Sequence, residues 1–193
     1  MQTSELNEEI AKNYLAQLQV RDVPHFGLLL TFFGTPGSGK TTLANKLAND
    51  LTAQYVRSDA VRRIIQAMGY DPRQFVVSKI TELIVKQILA HDANKLIVLD
   101  ASIDRTWRRF FDYAKKENIP TLTIRLNIPA TLLEERIKQR HESDFGKDYL
   151  NKFLEQFHDS KNHVKADIEL EADYNYDEVL SQVKQLRSKK ETM

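Results

Sequence analysis

The sequence predicts an α/β protein built on a five-stranded, mainly parallel sheet with helices on both faces. Short apolar runs bounded by turn residues alternate with segments whose apolar residues recur at helical spacing. Two of those runs, Phe26 to Phe33 and Lys95 to Asp100, are nearly continuous in apolar residues, the pattern of strands buried on both faces. Between the first run and the helix after it stand Gly34, Gly37 and Gly39, so strand, glycine loop and helix follow one another directly.

The elements follow in order. Leu6, Ile10, Tyr14 and Leu18 lie four apart with Glu and Lys between them, which makes residues 1–23 an appended N-terminal helix packed on the rest. After the first strand and its loop, Leu43, Ala44, Leu47, Ala48 and Leu51 form a helical stripe. Gln54 to Arg57 is a short extended stretch, and Ser58 or Asp59 can cap the helix of Val61, Ile64, Ile65 and Met68, which Gly69 ends. A longer helix carries Val76, Val77, Ile80, Leu83, Ile84 and Ile88, and the strand Lys95 to Asp100 follows it. Trp107, Phe110, Phe111 and Ala114 share a helix face. In the strand Thr121 to Asn127, Leu122, Ile124 and Leu126 alternate with polar residues. Pro129 suits the first turn of a helix bearing Leu132, Leu133, Arg136, Ile137 and Arg140. The pattern breaks at Gly146 and resumes through Tyr149, Leu150, Phe153, Leu154 and Phe157. Ala166 to Leu170 is the last strand, and Val179, Leu180, Val183 and Leu186 make a closing helix. No repeat or linker divides the 193 residues, which read as one domain with a core over 24–188.

Composition narrows the partners. The 28 basic and 27 acidic residues leave a net charge of +1, so any anion site has to be local, and no bulk field draws the chain to nucleic acid or to a membrane. With 41% apolar and 28% charged residues the chain is a folding one. It has no Cys, which excludes disulfides, thiolate nucleophiles and Cys-bound zinc. The longest apolar run is far short of the roughly 20 residues that span a bilayer. Before Ile10 the only charges are Glu5, Glu8 and Glu9, unlike a secretory leader. A cytoplasmic protein is the expectation.

The string Gly34-Thr35-Pro36-Gly37-Ser38-Gly39-Lys40-Thr41 fits G-x-x-x-x-G-K-[ST] without a gap, and Thr42 follows it into the helix. Its glycines let backbone N–H groups point into one concavity that binds phosphate oxygens, and the helix adds its positive end. Lys40 supplies charge to the β and γ phosphates of ATP, and the Thr41 hydroxyl is placed to ligate Mg²⁺. Asp100, at the end of KLIVLD, is the matching metal-side carboxylate, with helix capping near Ser102 as its plainer role. Hydrolytic motors usually place Glu directly after this Asp, whereas here the residue is Ala101. Asn94-Lys95-Leu96-Ile97 lacks the acid a guanine reader needs, and no D-x-x-G follows the strand. These exclusions leave a phosphotransferase whose nucleophile is a hydroxyl of a second substrate, or else a nucleotide-binding switch module with little transfer activity.

Ligands of open α/β sheets bind at the carboxyl ends of the strands. Asp59 lies there and can accept a proton from an attacking hydroxyl, or simply cap its helix. Arg62 and Arg63, one helical turn on, are candidates to hold an anionic acceptor, as is Arg105 of the Arg105, Arg108 and Arg109 cluster, with a solvated face as the alternative for each. Arg136 and Arg140 share a helix face just before Gly146, where a lid over about 137–160 can bring guanidinium groups to the transferring phosphoryl. The five His residues show no metal-ligand spacing. Tyr174 and Tyr176 sit in an acidic stretch, Asp167 to Glu178, where an adenine can stack.

The order GTPGSGKT, RSDAVRRII, LIVLDAS, then TIRLNIPATLLEERIKQR resembles the small P-loop kinases often labelled AAA-type ATP-binding proteins, a group that takes in zeta toxins, chloramphenicol phosphotransferase and the kinase domain of polynucleotide kinase. The resemblance covers roughly 27–186. It implies a three-layer P-loop NTPase sandwich with strand order 2-3-1-4-5, Asp59 as the acceptor-side general base, and an arginine in the lid. Asp59-x-x-Arg62 is similar to the polynucleotide kinase element whose Arg holds a substrate phosphate, so nucleic acid enters as a partner only as a 5′-hydroxyl end.

Overall fold

The computed structural model describes residues 4–19, 27–92, 95–139 and 147–191, the side chains of 147–149 and 191 excepted. Its elements are α1 (Ser4–Gln17), β1 (Leu28–Phe33), α2 (Lys40–Asp50), β2 (Gln54–Arg57), α3 (Ser58–Ala67), α4 (Val77–His91), β3 (Leu96–Ser102), α5 (Trp107–Lys116), β4 (Thr121–Leu126), α6 (Ala130–Gln139), α7 (Lys147–His163), β5 (Ile168–Leu170) and α8 (Tyr176–Glu191). A single 3-10 turn, Pro72–Gln74, joins α3 to α4.

The strands form one sheet in the order β2-β3-β1-β4-β5, and every neighbouring pair is parallel. β1 is buried along its whole length, so its alternate residues serve both faces. Leu28, Leu30 and Phe32 join Leu43 and Leu47 of α2 and Val179 and Val183 of α8 in one core. Leu29 and Phe33 join Ile65 of α3, Ile80 and Ile84 of α4 and Phe110 of α5 in the other. This is the three-layer arrangement with helices on both faces.

α1 belongs to the second core. Ile10, Ala11 and Tyr14 are buried, and the helix packs on α3 and α4. The Tyr14 hydroxyl accepts a hydrogen bond from the backbone N–H of Arg57 at 2.8 Å, so the appended helix satisfies the last residue of the edge strand β2.

Several boundaries differ from the sequence reading. β3 runs two residues past Asp100 because its register on β1 jumps, Thr31 facing Leu99 and Phe32 facing Ser102, an irregularity of the kind that re-aims side chains near functional sites. α3 begins at Ser58, with extended Arg57 as its cap, so Asp59 lies inside the first turn and does not cap the helix. There its charge still suits the positive helix end. β5 starts at Ile168 rather than Ala166. The lid expected over about 137–160 includes 140–146, and with them Arg140 and Gly146, which lie outside the described residues. Further along that span, Leu150, Phe157 and Ser160 of α7 are buried against the rest of the molecule.

Candidate active site

The turn after β1 is shaped by its glycines. Gly34, Gly37 and Gly39 have φ of +148°, +83° and +96°, which side-chain-bearing residues rarely adopt. At Gly34 an added Cβ would lie 2.7 Å from the Ser38 hydroxyl oxygen, so the close approach and the backbone angle both require glycine. Lys40, the first residue of α2, folds back over the loop, its Nζ donating to the carbonyls of Gly34 at 2.6 Å and Thr35 at 2.7 Å. The ammonium is thus held on the loop's own carbonyls. Thr35 and Ser38 are buried in the loop.

Thr41 and Asp100 meet across the sheet edge. The Thr41 hydroxyl donates to Asp100 Oδ1 at 3.1 Å, and the Tyr55 hydroxyl donates to Asp100 Oδ2 at 2.9 Å. Arg57 Nε stands 3.7 Å from that second oxygen. Burial, reinforced by the Asp100 carboxylate, pushes the Tyr55 phenol above its ordinary range, so Tyr55 is a steady donor. A hydroxyl and a carboxylate are hard oxygen donors that fit Mg²⁺, an ion that keeps much of its shell as water and phosphate oxygens. Among the described residues there is no group of three or more His, Asp or Glu that could hold a metal.

Asp59 is joined to this centre through the backbone. Ser58 Oγ donates to the carbonyl of Asp100 at 3.2 Å and fixes the start of α3 on β3. The Asp59 carboxylate is exposed at the carboxyl edge of the sheet and pairs with Arg62 at 2.8 Å. Arg63 faces another way: with Tyr14, Gln17 and Arg57 it lines a cavity of about 460 Å³ between α1, β2 and α3.

On the opposite side Arg136 reaches the phosphate loop, its Nη1 donating to the Gly37 carbonyl at 3.3 Å. Ile137 and Leu133 of the same helix lie against Gly37 as well. The basic cluster after β3 stays together. Arg105, Arg108 and Arg109 all line a cavity of about 580 Å³ between α5 and α7 with Glu155 and Asp159, and Arg109 also pairs with Glu82 of α4. The Arg105 guanidinium lies over Phe153 and that of Arg108 over Trp107. Tyr176 has its ring face under Lys46 Nζ, 3.4 Å from the centroid, and its hydroxyl donates to Asp50 at 2.7 Å. Both contacts fix it to α2.

Several residues that build the site were not visible in the sequence. Tyr55 and Arg57 read as ordinary strand residues, although their alternate spacing puts both on the face that carries Asp100. Asp104 reads as a turn residue, yet it is buried and accepts from the backbone N–H of Gly34 at 2.9 Å. Arg125, within an alternating strand, is 1% exposed and donates to Glu169 at 2.9 Å and to the α7 carbonyl of Ser160 at 3.3 Å, with that of Val164 just beyond the helix at 2.8 Å.

The comparisons agree with this architecture. APS kinase of Mycobacterium tuberculosis, in complex with AMPPNP and APS, superimposes with a TM-score of 0.55 at 18% identity over 84% of this chain and 98% of that one. Shikimate kinase of Acinetobacter baumannii, in complex with shikimate, gives 0.53 at 18% over 83% and 92%. A gluconokinase from Sinorhizobium meliloti gives 0.54 at 13% over 87% and 94%. At these identities the likeness is one of fold, the fold of small P-loop kinases. No curated protein matches the sequence. The AAA domain family model matches residues 29–165, from within β1 to the end of α7 and beyond, and the chain belongs to that family.

Proposed function

We propose that the protein is an ATP-dependent kinase that transfers the γ-phosphoryl group to a hydroxyl of a small-molecule acceptor. The observation that supports this most is that Asp59 is exposed next to Ser58, whose hydroxyl bonds the backbone carbonyl of Asp100, the residue whose carboxylate meets Thr41. A carboxylate exposed at that edge is where an acceptor hydroxyl needs a base. Its oxygen attacks the γ phosphorus, the bond from that phosphorus to the bridging oxygen of ADP breaks, and the hydroxyl proton passes to Asp59.

In this reading Lys40 and the backbone N–H groups of Gly37, Gly39, Lys40, Thr41 and Thr42 hold the phosphates, the Gly34 N–H being taken by Asp104. Thr41 and Asp100 would hold Mg²⁺, which when bound neutralises charge on the β and γ oxygens. Arg136, which bonds the Gly37 carbonyl, would stabilise the transferring group, and Arg62 and Arg105 would meet an anionic acceptor. Ala101 after Asp100 leaves that position without a water-activating carboxylate, which favours an acceptor hydroxyl over water. The folds of APS kinase, shikimate kinase and gluconokinase support a small acceptor.

Acceptor-stimulated ADP release, screened over a panel of hydroxyl compounds, tests this for Asp59→Asn against Lys40→Ala. Asp59→Asn should retain ATP binding and lose stimulation, whereas Lys40→Ala should weaken binding itself. Stimulated turnover unchanged in Asp59→Asn removes that residue from the mechanism.

A further inference from the structure

Asp104 follows β3 in the turn leading to α5, and its side chain is 5% exposed. Its carboxylate collects three donors from three parts of the fold. Oδ2 accepts from the backbone N–H of Gly34 at 2.9 Å and from the Ser102 hydroxyl at 2.5 Å. Oδ1 accepts from the hydroxyl of Ser160, in the last turns of α7, at 2.8 Å. Ser160 is fully buried, and its carbonyl accepts from the Arg125 guanidinium at 3.3 Å. α7 is therefore gripped at Ser160 from two sides, and one grip continues directly into the first residue of the phosphate loop.

The other side of the Gly34 peptide is held too. Its carbonyl accepts from Lys40 Nζ at 2.6 Å, with the Ser102 hydroxyl 3.1 Å away. A peptide fixed at both its N–H and its C=O transmits a displacement of either partner. A carboxylate bonded to three donors is also costly to leave half-satisfied, so the three segments move together or pay a desolvation penalty.

We propose that Asp104 is a positioning residue that couples the phosphate loop to α7, so that phosphate binding at 34–41 and the seating of α7 beside the cavity of Arg105 and Arg108 are one linked equilibrium. The proposal rests on the loop binding nucleotide phosphates, as above. Linkage makes the coupling reciprocal: whatever binds the loop steadies α7, and whatever loosens α7 weakens binding at the loop.

The substitutions separate coupling from mere stability. Ser160→Ala removes only the α7 end of the link. Asp104→Asn keeps it, because the amide oxygen can accept from Gly34 while the amide nitrogen donates to Ser160 Oγ, whose own proton can go to the Phe157 carbonyl 2.8 Å away. Asp104→Ala cuts both ends.

Hydrogen–deuterium exchange of the purified chain, with and without Mg-ADP, reads the coupling. In the wild type, Mg-ADP should slow exchange at 34–41 and also at 150–163. In Ser160→Ala the protection at 34–41 should remain while most of that at 150–163 disappears, whereas Asp104→Asn, with Ser160 intact, should keep both. Asp104→Ala should raise the Kd for Mg-ADP about tenfold, the effect of losing one charge-assisted hydrogen bond. Equal protection of α7 in wild type and Ser160→Ala overturns the coupling while leaving the nucleotide reading intact. Absence of protection at 34–41 in the wild type overturns both.

Discussion

The hydroxyl of Thr41 donates to one oxygen of the Asp100 carboxylate at 3.1 Å while the Tyr55 hydroxyl holds the other at 2.9 Å. A residue at the start of α2 and one near the end of β3 are thereby aligned, and Tyr55 fixes the carboxylate plane. Tyr55→Phe should therefore weaken apparent Mg²⁺ affinity by about tenfold, the usual scale for a residue supporting a metal ligand. A Mg²⁺ titration of turnover at saturating ATP checks this.

Arg136 touches the phosphate loop at Gly37. Its proposed work is on charge that develops during transfer, so Arg136→Ala should lower kcat by about 10³-fold, the lower range for arginines of this role, with little change in ATP affinity. Parallel measurement of kcat and of nucleotide Kd separates the two.

Tyr14 ties the N-terminal helix to the residue before α3. Tyr14→Phe leaves the Arg57 N–H without that acceptor and should cost about 1–2 kcal/mol of stability, read as a lower midpoint in urea at unchanged slope. Because Arg57 precedes the helix that carries Asp59, the KM for acceptor should rise more than the KM for ATP.

Burial of Glu169 raises its pKa, but hydrogen bonds from Asn127 and Arg125 more than offset this and hold the carboxyl below the usual range. A carboxyl with a depressed folded-state pKa stabilises the protein above its unfolded pKa of about 4.3 and loses that contribution as pH falls through the lower folded value. The stability difference between wild type and Glu169→Gln should thus be constant from neutral pH down to about 5 and shrink below about 4. Urea unfolding at a series of pH values measures it.

Much of the fold was legible because buried parallel strands and amphipathic helices write different periods into the sequence. The five strands fell within two residues of their observed ends, and the strand order implied by the family resemblance is the one found. The phosphate loop and its contact between Thr41 and Asp100 were legible from one motif and one strand end. Asp104 and Arg125 were not, because a carboxylate in a turn and an arginine in an alternating strand ordinarily face water. What buries them is tertiary: α7 supplies Ser160 to Asp104, and the carbonyls of Ser160 and of Val164 just beyond the helix accept from Arg125. Asp59 was placed at the right edge, but the start of α3 moved one residue earlier because Arg57, extended and bonded to Tyr14, takes the cap position. No helix among the described residues is long and apolar enough to cross a membrane, as the short apolar runs led one to expect.

The central claim is that the γ-phosphoryl group goes to an organic hydroxyl. Incubating the protein and Mg-ATP carrying an isotopic label in the γ phosphate with a panel of hydroxyl compounds, then following the label by mass spectrometry, tests it directly. The account predicts that the label appears as a phosphate ester of at least one acceptor, in step with ADP, and that Asp59→Asn abolishes that ester. Label recovered solely as inorganic phosphate, at a rate no acceptor changes, would contradict it.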